Sequence, residues 1–129
     1  MLVSPAELVA VAKATIKECS VTEVEQCLNS DTLLLDIREP AEFQKGHIPG
    51  AVLLPRGLLE FEIHNVVDSI RSNMTVPAAE QPIVLYCGTG GRSALAAQSL
   101  EAMGYKNVSS MAGGIIAWAT AHLPMDMPA

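Results

Sequence analysis

Ile83-Val84-Leu85-Tyr86-Cys87-Gly88-Thr89-Gly90-Gly91-Arg92-Ser93 joins an apolar run to a glycine-rich turn, and Ser93 to Met103 continues as a helical pattern closed by Gly104. A short continuous apolar run of this kind marks a strand buried on both faces. The glycines let successive N–H groups turn inward, which makes an anion-binding nest at the positive end of the helix that follows. Cys87 stands where the strand stops, and Arg92 adds a cation. Both features depress a thiol pKa, so Cys87 is expected to be a thiolate nucleophile. The other two cysteines, Cys19 and Cys27, lack such surroundings and read as small buried hydrophobes.

Outward from this segment, the same alternation recurs. Leu33 to Asp36 and Ala51 to Leu54 are further strands of the doubly buried type, Ile16 to Cys19 is a short one, and Val108 to Met111 is the last. Helices fall between them. Ser20 and Glu23 form a capping box ahead of Val21, Val24, Cys27 and Leu28, Pro40 begins a turn over Glu39 to Lys45, and Leu58 to Arg71 and Ile115 to Ala121 complete the set. Strands alternating with helices require right-handed crossovers and a mostly parallel sheet covered on both faces, so the fold class is α/β. Ser4, Pro5 and Glu7 open a separate lead-in helix over residues 1–15, leaving 16–129 as a single domain.

Charge and length narrow the partners. With 8 basic against 14 acidic residues, the chain has no positive field to hold a nucleic-acid backbone or an anionic membrane. No apolar stretch approaches the roughly 18 residues needed to span a bilayer. The first residues lack the basic start of a secretory signal, which gives a cytoplasmic expectation. Three cysteines at no metal-ligand spacing argue against a disulfide framework and against a metal site. Dinucleotide and Walker readings of the loop fail, because Ser93 stands where a third glycine would be needed and no Gly-Lys pair is present.

Cys87-Gly-Thr-Gly-Gly-Arg92 resembles the active loop of the rhodanese family, with four residues between the cysteine and the closing basic residue. Leu35-Asp36-Ile37-Arg38-Glu39 with Glu42-Phe43 and Gly46-His47-Ile48-Pro49-Gly50-Ala51 is similar to that family's N-terminal signature, and Gly113-Gly114-Ile115, Trp118 and Leu123-Pro124 to its C-terminal one. One departure is His122, which stands where a glycine is usual; histidine tolerates a left-handed turn. The resemblance implies a rhodanese-like, five-stranded, mostly parallel sheet with helices on both faces. It also implies a thiosulfate sulfurtransferase that carries sulfane sulfur as a persulfide on Cys87, from a small sulfur anion to cyanide, a thiol or a protein, without a cofactor. Gly88, Thr89, Gly90, Gly91, Arg92 and Ser93 would hold the persulfide.

Phosphatases and arsenate reductases of similar architecture have a loop one residue longer, wide enough for a tetrahedral oxyanion. They and an idle interaction module are the alternatives. Asp36 ends one strand on the Cys87 edge and Arg56 follows another after Leu54-Pro55; both are candidate supporting residues, Asp36 through loop backbone or a hydroxyl such as Ser93, with a purely structural role equally open, and Arg56 by admitting an anionic donor. Arg56 is equally placed to pair with Glu60, and Arg38 with Glu42, at helical spacing. His47 precedes a strand on the opposite edge and reads as structural, while Trp118 and Met111 read as core.

Overall fold

The computed structural model describes residues 1–71 and 76–127. Helices α1 (Pro5–Thr15), α2 (Val21–Gln26), α3 (Pro40–Gln44), α4 (Leu59–Ile70), α5 (Gly91–Ala102) and α6 (Gly114–Thr120) alternate with strands β1 (Lys17–Cys19), β2 (Leu33–Asp36), β3 (Val52–Leu53), β4 (Ile83–Tyr86) and β5 (Val108–Met111). The strands form one sheet in the order β1-β5-β4-β2-β3, and every neighbouring pair is parallel. Short turns of 3-10 helix precede α4 at Arg56–Leu58 and β4 at Ala78–Glu80.

The pleat divides the core in two. Leu33, Leu35, Ile83, Leu85 and Cys87 point to the side covered by Ile63 and Val67 of α4 and Ala96, Ala97 and Leu100 of α5. Leu34, Val84, Tyr86 and Met111 point to the other side, against Val24 of α2 and Ile115 and Trp118 of α6. Successive strand residues face opposite ways, so both faces of β4 can be apolar without alternation in sequence. Helix α1 lies on α5 and buries Ala12 completely.

Local chemistry sets the helix ends. Ser4 and Ser20 accept the N–H groups of Glu7 and Glu23, and Glu23 accepts that of Ser20 in return. Gly104 and His122 take left-handed conformations just past α5 and α6, with φ of 105° and 58°.

Two expectations about the elements need correction. The third strand is a half-buried edge strand of Val52 and Leu53, not one buried on both faces, because only β2 pairs with it. Cys27 is not in the core. Helix α2 ends at Gln26, so the helical stripe stops and Cys27 becomes a half-buried cap residue whose thiol donates to the Val24 carbonyl at 3.3 Å.

Candidate active site

Cys87 leaves β4 at the C-terminal edge of the sheet, on the α4 and α5 side, and is 1% exposed. The chain then turns over its sulfur. Gly90 adopts φ of 108°, which a residue with a Cβ resists, and caps α5 from that position. Its N–H donates to the Cys87 Sγ at 3.1 Å, and the Ser93 N–H donates at 3.4 Å. The Ser93 Oγ lies 3.5 Å from the same sulfur. Helix α5 therefore begins inside the loop rather than at Ser93, and the free N–H groups of its cap Gly90 and of Ser93 in its first turn point at the sulfur.

Burial works against a charge on Cys87, but the Ser93 hydroxyl and the N–H groups of Ser93, Gly90 and Thr89 outweigh it and hold the thiol below its ordinary pKa. Cys19 shows what happens without such donors: burial first, then Glu23 and Cys27, push its thiol up to about 11. Of these two buried thiols, only Cys87 is set up as a nucleophile.

Two residues to which the sequence reading assigned no site role complete the cradle. Ser110 of β5 lies 2.8 Å from the Ser93 Oγ and can donate to it, which leaves the single Ser93 proton for the Gly90 carbonyl at 3.3 Å or, once Cys87 ionises, for the sulfur. A Ser109-Ser110 pair within a short buried strand was its only signal. Gly114 stands at the start of α6, where the Ile115 N–H binds the Cys87 carbonyl at 2.9 Å and the Ile116 N–H binds the Gly88 carbonyl at 3.2 Å. With both carbonyls tied back, the loop presents its N–H groups to the sulfur. A Cβ on Gly114 would come within 2.4 Å of the Gly88 oxygen.

Arg92 lies over the loop, with Nη2 3.2 Å from where a Cβ on Gly88 would be. Its fork is held by Glu42 of α3, Nη1 to Oε1 at 2.8 Å and Nη2 to Oε2 at 3.0 Å. Arg92 holds the Glu42 carboxyl at a pKa of about 2, and Glu42 followed by Cys87 keeps the guanidinium charged. The expected Arg38–Glu42 pair does not form. Arg38 precedes α3 rather than lying on it, so helical spacing does not apply, and it is buried against Asp36 at 2.8 Å and the Gly46 carbonyl at 2.8 Å.

Asp36 therefore has a different place from the one expected. It ends its strand at the Cys87 edge, but the pleat turns it to the opposite face, level with Tyr86 in the register. There it takes the N–H and the guanidinium of Arg38 rather than a loop N–H or the Ser93 hydroxyl. Tyr86, next to Asp36, accepts the Ile48 N–H on its hydroxyl. Burial and then the Asp36 carboxylate keep that phenol protonated well above its usual range. Arg56 forms the expected pair with Glu60, through both carboxylate oxygens, and also reaches Ser99 of α5, so it braces α4 against α5.

His47 is structural: it stacks on Phe43 at 3.7 Å and pairs through its backbone with Asp126. Trp118 and Met111 are fully buried. Among the described residues, no group of three or more His, Cys, Asp or Glu side chains is gathered as a metal site.

A thiol held below its ordinary pKa in a backbone nest, on the C-terminal edge of a parallel sheet, has the setting that covalent group transfer through cysteine requires. The Rhodanese-like domain family matches residues 20–121, and the chain belongs to that family. A sulfurtransferase of Allochromatium vinosum is 38% identical over 98 residues, covering 76% of this chain and 81% of that protein. The thiosulfate sulfurtransferase GlpE of Pseudoalteromonas translucida is 33% identical over 107 residues, covering 82% and 91%. Among solved structures, a Rhodopseudomonas palustris protein of unknown function, described as a possible tyrosine phosphatase, superposes with a TM-score of 0.78 at 30% identity, over 98% of this chain and 96% of that one.

Proposed function

We propose that the protein is a sulfurtransferase that carries sulfane sulfur on Cys87, with thiosulfate as a donor. The Cys87 thiolate attacks the outer sulfur of thiosulfate, the S–S bond of the donor breaks, and sulfite departs with the bonding pair. Cys87 is left as a persulfide whose terminal sulfur carries the negative charge. A thiophilic acceptor, such as cyanide, a thiol or a protein thiolate, takes that sulfur and returns Cys87 to the thiolate. The observation that carries this reading is the donation of Gly90 and Ser93 N–H groups to a buried Sγ.

A ring this tight suits one added sulfur atom better than a tetrahedral phosphate, and the Arg92 side chain closes it after only four intervening residues. The names of the Allochromatium and Pseudoalteromonas relatives support sulfur transfer, and the latter supports thiosulfate. A reducing cytoplasmic setting suits such a carrier, whose three cysteines are all unpaired. Intact and peptide mass spectrometry after thiosulfate treatment tests the proposal, with Cys87→Ser as control and cyanide as acceptor. One added sulfur on Cys87, removed by cyanide and absent from the variant, is the expected result. A folded protein that gains no sulfur from thiosulfate while its Cys87 hydrolyses an aryl phosphate would overturn it.

A further inference from the structure

The cations at the cradle are matched by carboxylates. Arg92 gives both terminal nitrogens to Glu42 in a two-point contact, and the pair is partly open to solvent, with 43% and 38% of the two side chains exposed. Lys13 of α1, whose Nζ lies 4.0 Å from where a Cβ on Gly90 would be, is 4.0 Å from Glu18. An anionic donor therefore meets compensated charge rather than a free guanidinium. Glu42 is well held for this role, because its Oε1 also accepts the Glu39 N–H at 3.1 Å at the start of α3.

We propose that Glu42 is a specificity-determining residue: by occupying Arg92 it penalises donors in proportion to their negative charge, favouring persulfides of low net charge over the thiosulfate dianion. This inference rests on Cys87 as the receiving nucleophile and deepens the sulfur-transfer reading. Thiosulfate remains a substrate, with its KM held high. If the reacting anion is taken to sit about 7 Å from the Glu42 carboxylate, removing that charge in a water-like dielectric changes a monoanion's approach by about threefold and a dianion's by about sevenfold. The effect shrinks as salt rises, because the pair is exposed.

The test compares alkylation of Cys87 by iodoacetate, which is anionic, and iodoacetamide, which is neutral, with each site read by peptide mass spectrometry. Glu42→Gln keeps an acceptor for the Glu39 N–H but loses the charge. It is expected to raise the iodoacetate-to-iodoacetamide rate ratio about threefold at low salt. Arg92→Gln, which leaves Glu42 uncompensated, is expected to lower the ratio by a similar factor. Cys19, whose thiol is pushed up to about 11, stays protonated and unlabelled near neutral pH in a folded protein and reports on any variant that has lost its structure.

An unchanged ratio in Glu42→Gln, or equal changes with both reagents, would overturn the proposal, the second because it would show action on the thiolate itself. In thiosulfate turnover the same variant is expected to lower KM about sevenfold with little change in kcat. A shifted alkylation ratio without thiosulfate turnover would sink the choice of donor and leave the role of Glu42 standing. Turnover with an unmoved ratio would do the reverse.

Discussion

Replacing Ser93 by alanine tests the cradle most directly. In the native protein the thiolate accepts from the Gly90 N–H at 3.1 Å, the Ser93 N–H at 3.4 Å and the Ser93 hydroxyl at 3.5 Å. A hydrogen bond to a charged group contributes about 1.5–3 kcal/mol, and the long contact places this one at or below the lower end, about 1 kcal/mol. Losing it shifts the ionisation equilibrium about fivefold toward the thiol. The assay is the rate of Cys87 alkylation by iodoacetamide as a function of pH. Ser93→Ala is expected to react about fivefold more slowly below the wild-type midpoint, to have its midpoint at higher pH, and to converge with the wild type at high pH.

The sign for stability follows from the same depressed thiol. Its ionisation stabilises the fold at pH above the unfolded thiol's pKa, and that contribution is lost as pH falls through the folded value. Ser93→Ala should flatten this dependence. The variant also leaves the buried Ser110 hydroxyl without its 2.8 Å partner, a loss of about 1–3 kcal/mol. Ser93→Ala/Ser110→Ala should recover part of that stability without recovering the alkylation midpoint. An unmoved midpoint in Ser93→Ala would refute the reasoning, showing that the backbone N–H groups alone hold the thiolate.

Gly114→Ala drives a Cβ to within 2.4 Å of the Gly88 oxygen at a backbone φ of 60°, and should lower the urea-derived stability by about 2–4 kcal/mol. Because α6 then no longer ties back the loop carbonyls, its Cys87 alkylation midpoint should also rise. Asp36→Asn uncouples a buried ion pair and should lower stability by about 3 kcal/mol in the same urea titration, leaving the alkylation midpoint where it was; a moved midpoint would return Asp36 to the site. Arg56→Ala removes a half-exposed contact to Glu60 and Ser99, so a loss of no more than about 1 kcal/mol is expected. Its iodoacetate rate should equal that of the wild type, and a slower one would make Arg56 a donor contact after all.

Legibility tracked sequence distance. The cradle could be read because its parts lie within one turn: Cys87, Gly90 and Ser93 bring the sulfur and its donors together through local backbone geometry alone. The capped starts of α1 and α2 and the left-handed residues Gly104 and His122 were legible for the same reason. Ser110 and Glu42 were not, because they reach the loop from β5 and α3. For ion pairs the sequence offered helical spacing, which joined Arg56 to Glu60 correctly but also joined Arg38 to Glu42 although Arg38 lies before the helix.

Asp36 shows the second limit. Ending a strand at the active edge is a statement about position along the sheet normal to the chain's crossovers, whereas contact with Cys87 depends on which face the side chain takes. Leu35 faces α4 and α5 with Leu85 and Cys87, so Asp36 must face the other way with Tyr86. The same pleat separates two kinds of polar chemistry across one sheet. On the α6 face, Asp36, Arg38 and the Tyr86 hydroxyl are satisfied by one another and by the backbone at Gly46 and Ile48, which fixes the segment leading to β3. On the α5 face the donors converge on a sulfur that can ionise and react. A carboxylate on that second face would oppose the thiolate, so keeping Asp36 on the first lets one sheet edge hold a rigid ion pair and a nucleophile only a strand apart.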